Sequence, residues 1–187
     1  MKIALTPIIP ARINLPGQLA RKGGSFQYTA IDNDFAMKFD GVESYFQGSD
    51  ITSLDNASAF SISFWFKPFT LTATQRIMSK YTDSNNRTSL SLFSTTFNIN
   101  ISRGGLQTGV VAYPNESPAP WKHIAVVFDG SKTGNSNRLK CWFNGVPQTI
   151  NFATSTIPPL TANTSGKTFN IGALDTGSTI LNPVNGK

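Results

Sequence analysis

Apolar and polar residues alternate through much of the chain, and this pattern predicts β-strands. The clearest case runs from Phe60 to Lys67, with the sequence F-S-I-S-F-W-F-K. Side chains on a strand point alternately to opposite faces, so Ile62 and the phenylalanines share one face while Trp65 and the polar residues share the other. Pro68 follows and ends the strand, because proline cannot donate a ladder hydrogen bond. The segment is therefore predicted to cover a core with one face.

Two further strands are predicted at the centre of the fold. The stretch from Trp121 to Phe128 is largely apolar on both faces and stops at Asp129-Gly130, which is typical of a central strand. Leu139 to Phe143 alternates in the same way and ends at Asn144-Gly145. Asn-Gly tolerates the positive φ angles of a tight hairpin turn. We expect these two strands to be neighbours in one sheet.

The rest of the body adds short strands separated by turn residues. A hairpin is predicted between Phe35 and Phe46, around an Asp40-Gly41 turn. The other predicted strands are Arg76–Tyr81, Thr88–Phe93, Phe97–Arg103, Gly109–Tyr113, Gln148–Phe152, Thr168–Gly172 and Ser178–Leu181. About a dozen strands at this spacing predict an all-β fold, a two-sheet antiparallel β-sandwich with almost no helix. The composition agrees, because 14 Phe and only 14% charged residues favour half-buried, pleated surfaces.

Residues 1–25 differ from the body and are predicted to form an extended N-terminal arm. Pro7, Pro10 and Pro16 each break a helix and restrict the residue before them. The arm is basic, since the residues before the first acid, Asp32, contribute +4 to the formal net charge of +6 and leave +2 for the rest. The sandwich domain is predicted to occupy residues 26–187.

The pattern of charge and hydropathy argues against several classes of partner. The chain has no run of five or six Lys/Arg and no aromatic residues interleaved with basic ones, so specific nucleic-acid binding is not predicted. Pro7 and Pro10 interrupt the apolar start, which is unlike a secretory signal peptide. No stretch approaches about 18 uncharged apolar residues, so no transmembrane span is predicted.

Several motifs resemble a known family in their order and spacing. They are F-D-G-V-E-S-Y-F, F-S-I-S-F-W-F-K-P, I-M-S-K-Y, W-K-H-I-A-V-V-F-D-G, L-K-C-W-F-N-G-V-P and F-N-I-G-A. Together they are similar to the laminin-G-like (concanavalin A-like lectin/glucanase) jelly-roll domains, over roughly Phe35 to Lys187. The resemblance implies a concanavalin A-like jelly roll, a fold that hosts many different functions.

The resemblance also concerns the end of the chain. Members of that family usually continue past the motif that is Asn185-Gly186-Lys187 here into one more strand. Either the sequence is truncated, or one sheet has a slot that the N-terminal arm or another subunit fills by β-augmentation. Both alternatives stay open at the level of the sequence.

The sequence assigns no catalytic group. Glucanases of this fold carry Glu-x-Asp-x-Glu along one strand, with two carboxylates close together, and that motif is absent. The only two glutamates are Glu43, beside a predicted turn, and Glu116, in a proline-rich loop. Asp32 and Asp34 lie in a polar lead-in, where solvated turn acids are expected. We predict that the protein is not an enzyme.

The single histidine and the single cysteine are both interpreted as structural. His123 occupies a strand position that the family resemblance marks as a hydrogen-bonded structural residue. Cys141 lies on the apolar face of its strand, where a thiol acts as a small hydrophobe. The chain has no His/Cys cluster of the kind that binds zinc.

The resemblance implies carbohydrate binding as the non-catalytic activity. Sugars are held by aromatic ring faces and by Asn, Asp and Arg groups on loops at a sheet edge. The loop from Tyr81 to Arg87 has this inventory, and Tyr113 with Asn115 and Glu116 offers a second patch. The candidate glycan-binding residues are Tyr81, Asp83, Asn85, Asn86, Arg87 and Tyr113. Ordinary polar turns are the alternative interpretation of both patches.

Calcium and the tryptophans complete the candidate chemistry. Many relatives bind calcium through Asp and Asn oxygens, to which Asp83 and Asn85 could contribute, but the further oxygen ligands are not identified and no metal is assigned. Trp121 resembles the family's core tryptophan and is predicted to pack inside. Trp65 and Trp142 lie on the face opposite the main rows of Phe.

The context favours a virion protein. The chain starts at Met without an export signal, has no disulfide, and carries a basic arm of the kind that capsid and spike proteins use to hold neighbouring subunits. We therefore expect a non-catalytic, lectin-like structural protein on a phage or virus surface. Its expected partners are other virion subunits or a second copy of itself, bound through the arm, and a host-surface glycan. The alternatives are an extracellular carbohydrate-binding module cut from a larger secreted bacterial protein, and an interaction domain that binds no glycan.

Overall fold

The computed structural model describes residues 36–152 and 156–187. The predicted arm, residues 1–25, and the predicted start of the sandwich at residue 26 lie outside the described residues. Regular helix in the described part is confined to a turn of 3₁₀-helix, Thr52–Leu54, and a single α-helical turn α1, Asn135–Arg138. No helix in these two ranges has the length and hydropathy needed to cross a bilayer.

Strands make up the rest of the regular structure, and they follow the alternating pattern of the sequence. In chain order they are β1 (Phe39–Asp40), β2 (Phe46–Gly48), β3 (Ala59–Phe66), β4 (Gln75–Asp83), β5 (Asn86–Phe93), β6 (Thr96–Arg103), β7 (Thr108–Ala112), β8 (Lys122–Asp129), β9 (Leu139–Phe143), β10 (Val146–Pro147), β11 (Ile150–Asn151), β12 (Phe169–Ile171), β13 (Leu174–Asp175), β14 (Ile180–Leu181) and β15 (Asn185–Gly186).

The strands form two principal antiparallel sheets. The larger sheet has seven strands in the order β11-β7-β6-β5-β4-β12-β2, and the smaller has four in the order β10-β9-β8-β3. Two short pairs, β1 with β15 and β13 with β14, lie beside them. The predicted all-β antiparallel sandwich is confirmed.

The hydrophobic core is built from one face of each principal sheet. In the larger sheet, Leu90 of β5 lies opposite Ile99 of β6, and Leu92 lies opposite Phe97. In the smaller sheet, Ile124, Val126 and Phe128 of β8 are fully buried. Rings from the two sheets meet edge to face, with the Phe97 and Phe143 centroids 5.8 Å apart. Burial of these alternate positions supplies the main driving force for the sandwich.

The centre of the smaller sheet agrees with the prediction. β8 lies between β3 and β9, and β9 returns through a tight turn in which Asn144 and Gly145 have φ values of 51° and 78°. Cys141 of β9 is 1% exposed, and burial raises the pKa of its thiol to about 12. It is a buried hydrophobe, as expected from its place on the apolar face.

The predicted hairpin around Asp40-Gly41 is wrong. β1 pairs with β15 at the other end of the chain, while β2 pairs with β12. One carboxylate oxygen of Asp40 accepts hydrogen bonds from the backbone N–H groups of Val42, Glu43 and Ser44 at 2.8 to 3.0 Å, which hold the pKa of that carboxyl well below its usual range. The loop turns the chain from one sheet to the next. Its backbone N–H groups donate to the Asp40 carboxylate instead of to a neighbouring strand, as they would in a hairpin.

The tryptophans differ in how far they follow the prediction. Trp65 is 58% exposed on the outer face of β3, as its place opposite the Phe row suggests. Trp121 is only half-buried and lies outside the hydrophobic core, so its predicted core role is wrong. The first residue of β8 is Lys122, whose side chain is buried beside Tyr113. Because side chains alternate along a strand, the residue before Lys122 lies on the half-exposed face.

A buried cation ties the larger sheet to the segments that flank it. Lys80 of β4 is fully buried, and its Nζ lies 2.6 Å from Asp50 Oδ1 and 2.7 Å from Asp55 Oδ1. Asp55 also accepts hydrogen bonds from the N–H and Oγ1 of Thr164. The hydrogen bond from Lys80 lowers the pKa of Asp50, and for Asp55 the hydrogen bonds from Lys80 and Thr164 outweigh burial, so its pKa is lowered as well.

The core predicts a sharp difference between two phenylalanines at the β5–β6 turn. Phe97 is fully buried, whereas Phe93 is 51% exposed. Replacing Phe97 with Ala is expected to lower the free energy of unfolding by about 3–5 kcal/mol, because it leaves a cavity. The matched change Phe93→Ala is expected to alter it by less than about 0.5 kcal/mol. Urea unfolding of the two variants measures the difference, and equal midpoints would contradict this packing.

The buried cation predicts a mutational effect and a pH effect. Lys80→Met leaves two carboxylates without their cation and should lower the free energy of unfolding by about 3–5 kcal/mol, whereas Lys140→Met, at an exposed position of β9, should change it little.

The folded-state pKa values of Asp50 and Asp55 are lowered, so ionisation of these two carboxyl groups stabilises the folded protein. This stabilisation is complete above the unfolded pKa of about 4 and is lost as the pH falls through the folded values. Urea midpoints between pH 7 and pH 3 should therefore fall more steeply for the unmutated protein than for Lys80→Met. Parallel curves would exclude this role for Lys80.

Candidate functional site

The outer face of the seven-stranded sheet carries a continuous set of polar side chains. We call this surface the polar face. Its register follows from the core, because residues that alternate with Leu90 and Ile99 must point the other way. Its members are Arg76, Ser79 and Tyr81 of β4, Arg87, Ser89 and Ser91 of β5, Asn98, Asn100 and Ser102 of β6, and Thr108 of β7.

Hydrogen bonds fix the two arginines of the polar face. Arg76 Nη1 donates to Ser89 Oγ at 3.2 Å and to Ser91 Oγ at 3.4 Å. Arg87 Nη2 donates to Asn100 Oδ1 at 3.2 Å, and Asn100 Nδ2 donates to Ser89 Oγ at 3.2 Å. Ser89 and Asn100 therefore join the two guanidinium groups into one network.

The network extends across the sheet in both directions. On β7, Thr108 Oγ1 donates to Asn100 Oδ1 at 2.8 Å. On β4, Ser79 Oγ donates to the carbonyl of Ala173 at 2.8 Å, which fixes the segment leading into β13 beside the polar face. Donors and acceptors on four adjacent strands are thus held in place by the sheet rather than by loops.

Both arginines carry charge in a poorly solvated place. Arg76 is 7% exposed and Arg87 is half-buried. Burial, with the nearby Arg87 charge, lowers the pKa of Arg76 to about 10. Burial also lowers the pKa of Arg87, although Tyr81 and Asp83 act in the opposite direction. Among the described residues, neither arginine has a carboxylate within salt-bridge distance, and the Nε of each is buried without a hydrogen-bond partner.

The structure divides the sequence-predicted glycan residues between two places. Tyr81 and Arg87 lie directly opposite each other on β4 and β5, so both belong to the polar face. Asp83, Asn85 and Asn86 lie at the tip of the β4–β5 hairpin, at the end of that face. The predicted loop is therefore a corner of a larger surface.

Two of the hairpin residues hold the turn together. Asp83 Oδ1 accepts the backbone N–H of Asn85 at 2.8 Å, and both of its oxygens accept from Asn86 Nδ2 at 3.1 and 3.2 Å. Asn86 Oδ1 accepts the backbone N–H of Gly104 at 3.0 Å, which connects this turn to the end of β6. Asn85 is exposed.

Tyr113 does not belong to a surface patch. Its side chain is 2% exposed, and its ring packs edge to face on Phe143 with centroids 5.6 Å apart. A sugar ring has no access to a face packed in the core, so this candidate is corrected to a core residue. Tyr113, the last residue of the predicted strand Gly109–Tyr113, was assigned from the sequence to a surface patch, although alternation puts it on the same face as Val111 of the core.

The residues at the hairpin do not fit a calcium site. Both carboxylate oxygens of Asp83 already accept hydrogen bonds from Asn86, and calcium needs six to eight oxygen ligands. Within residues 36–152 and 156–187, no group of three or more His, Cys, Asp or Glu side chains converges to hold a metal ion.

The remaining candidate groups have structural partners. Glu116 Oε2 lies 3.1 Å from Lys122 Nζ, and Glu43 lies in the loop that Asp40 closes. His123 packs on Trp65 with ring centroids 5.3 Å apart, on the outer face of the smaller sheet. In that pair Trp65 is exposed and His123 is half-buried.

Sequence analysis missed Arg76, Ser89 and Asn100, the centre of the polar face. Simple alternation puts Arg76 on the same side as Met78, which is in the core. The pairing of β4 with β5 shifts register between these two residues, so that Arg76 lies opposite Ser91 while Met78 lies opposite Leu90. A β-bulge of this kind has no reliable signature in a single sequence.

Comparisons with known proteins agree with the architecture. A carbohydrate-binding module of family 40 (CBM40) from the Ruminococcus gnavus IT-sialidase has a TM-score of 0.57 at 11% identity, with 80% of this chain and 85% of that chain covered. The same module bound to α2,3-sialyllactose gives a TM-score of 0.55 at 12% identity over the same shares. Domains LG4-5 of mouse laminin α1 give a TM-score of 0.44 at 11% identity, covering 78% of this chain and 42% of that chain. At 11–12% identity, the likeness to the two CBM40 structures shows the fold alone.

The comparison with curated proteins found no similar sequence. The family model of the concanavalin A-like lectin/glucanases superfamily, in its laminin-G form, matches residues 40–186, which include both principal sheets and the polar face. The chain therefore belongs to the concanavalin A-like lectin/glucanase superfamily.

Proposed function

We propose that the protein is a non-catalytic glycan-binding module that binds its ligand on the polar face. Family membership supports a lectin-like role, and the CBM40 module of similar fold is a protein whose complex with α2,3-sialyllactose has been solved. The proposed site lies on the sheet, with Tyr81 and Arg87 in it and the hairpin tip at its border. An extracellular carbohydrate-binding module is the setting that these relatives favour.

The chemistry of the polar face suits a sugar. Hydroxyl groups need fixed donors and acceptors, because a polar group that loses water without gaining a partner costs free energy. The guanidinium, amide and hydroxyl groups of Arg87, Asn98 and Thr108 offer both, and the ring of Tyr81 offers apolar area to the C–H side of a sugar.

One observation carries the proposal. Arg76, Ser89, Asn100 and Arg87 form a single hydrogen-bonded network on the face of the sheet opposite the core, where Arg76, Ser89 and Asn100 are buried and Arg87 is half-buried, although no packing requirement of the core calls for arginine there. Preorganised polar groups of this kind lower the entropy cost of ligand binding.

The proposal predicts which aromatic ring matters for binding. In a glycan-array screen followed by calorimetry on each hit, Tyr81→Ala should weaken binding at least about tenfold, because it removes stacking area worth about 1.4 kcal/mol or more. The matched control is Trp65→Ala, which removes an exposed ring from the outer face of the other sheet and should leave binding unchanged. Loss of binding in Trp65→Ala alone would move the site to the smaller sheet. An unmutated protein that binds no glycan would refute the function.

We propose a virion structural role as the second candidate. It is supported by the sequence of residues 1–25, whose basic residues and prolines suit an arm that contacts neighbouring subunits. Under this role, deleting residues 1–25 should abolish assembly into particles measured by analytical ultracentrifugation, while the thermal unfolding of the sandwich stays the same. A full-length protein that remains monomeric at every concentration would contradict it.

A further inference from the structure

We infer that the ligand of the polar face is acidic, and that Arg76 and Arg87 together bind its carboxylate or sulfate group. This inference rests on the proposed function and adds the chemical class of the glycan. It concerns the two arginines, of which the sequence had suggested only Arg87.

Arg76 and Arg87 have no counter-charge among the described residues. Charged side chains that lose water are normally paired with an opposite charge. Lys80 follows this rule with Asp50 and Asp55 on the core side of β4. On the other side of the same strand, Arg76 is also buried, at 7% exposed, yet the described residues give it only serine hydroxyls. An anion from outside the chain would satisfy this charge.

The two cations belong to one hydrogen-bonded network, so their positive charges lie near each other on the polar face. Arg76 and Arg87 are joined through Ser89 and Asn100, and the charge of Arg87 contributes to the lowered pKa of Arg76. Like charges brought together by a rigid sheet cost free energy in the unbound protein. A bound anion removes this repulsion and adds charge-assisted hydrogen bonds, which are about twice as strong as neutral ones.

Both guanidinium groups have N–H donors that no described residue uses. A guanidinium group has five N–H donors in a planar fork that matches a carboxylate or sulfate. The Nε atoms of both arginines are buried without a partner, so the donors left for a ligand are the terminal nitrogens that make no hydrogen bond among the described residues, Arg76 Nη2 and Arg87 Nη1. An acidic group that approaches Arg76 and Arg87 can accept from these donors, whereas a neutral hydroxyl would leave both positive charges uncompensated.

Titration with matched ligands tests the inference. The probes are α2,3-sialyllactose, lactose sulfated at the same 3′ position, and unmodified lactose, each measured by calorimetry in low salt. We expect one or both acidic sugars to bind at least tenfold more tightly than lactose. The variant Arg87→Gln should abolish that difference, and the control Lys140→Gln, which removes one positive charge from an exposed position on the other sheet, should retain it.

A stability measurement separates a binding role from a structural one. If Arg76 and Arg87 are held without a counter-charge, then Arg87→Gln and Arg76→Met should keep or raise the urea midpoint of the unliganded protein. In the unmutated protein, the better acidic sugar should raise the midpoint, and in both variants that increase should disappear. Loss of stability in both unliganded variants would show that the arginines serve the fold, and would overturn the inference.

The outcomes distinguish the inference from the proposed function. Lactose and the acidic sugars binding equally well, with Arg87→Gln behaving as the unmutated protein, would overturn the acidic specificity and leave glycan binding intact. Binding of sialyllactose but not the sulfated sugar identifies a carboxylate as the recognised group, and the reverse identifies a sulfate. Absence of binding to every sugar on the array refutes the proposed function, and the inference falls with it.

Discussion

The antiparallel register of β4, β5 and β6 is the constraint on which the rest of the molecule depends. It sets Leu90 against Ile99 on one side and Ser89 against Asn100 on the other. Apolar packing on the inner side therefore determines the spacing of donors on the outer side, without help from the loops. A slip of one residue would send the leucines to solvent and the serines into the core, so the same free energy that stabilises the sandwich also keeps the polar network in position.

The local sequence pattern was enough to predict the sandwich architecture, but it did not predict every pair of neighbouring strands. The alternation of Phe60–Phe66 and the Asn144-Gly145 turn are set by neighbouring residues, and both were predicted from the sequence. The partner of Phe39–Asp40 is Asn185–Gly186, at the far end of the chain. Periodicity tells which face a residue occupies within its own strand and carries no information about which distant strand lies beside it.

The candidate site shows a similar division. Residue type directed attention to the Tyr81–Arg87 loop, but Asp83 and Asn86 are engaged in closing the turn, and Tyr113 packs in the core. The serines and asparagines of β5 and β6 lie at the positions that alternate with the core residues, and polar residues are ordinary at such positions. Their role in the candidate site depends on two arginines that strand pairing brings next to them. This proximity is set by the whole sheet and is not visible in the sequence of any single strand.

The register shift between Arg76 and Met78 determines which side of the sheet carries the guanidinium of Arg76. The shift adds one residue to β4 relative to β5. Side chains before it therefore point to the opposite face from the one that strict alternation with the later residues would give them. Without that residue, strict alternation would turn the guanidinium of Arg76 toward the hydrocarbon of the core. The cation of the polar face therefore depends on an irregularity in the backbone of β4 as much as on its own side chain.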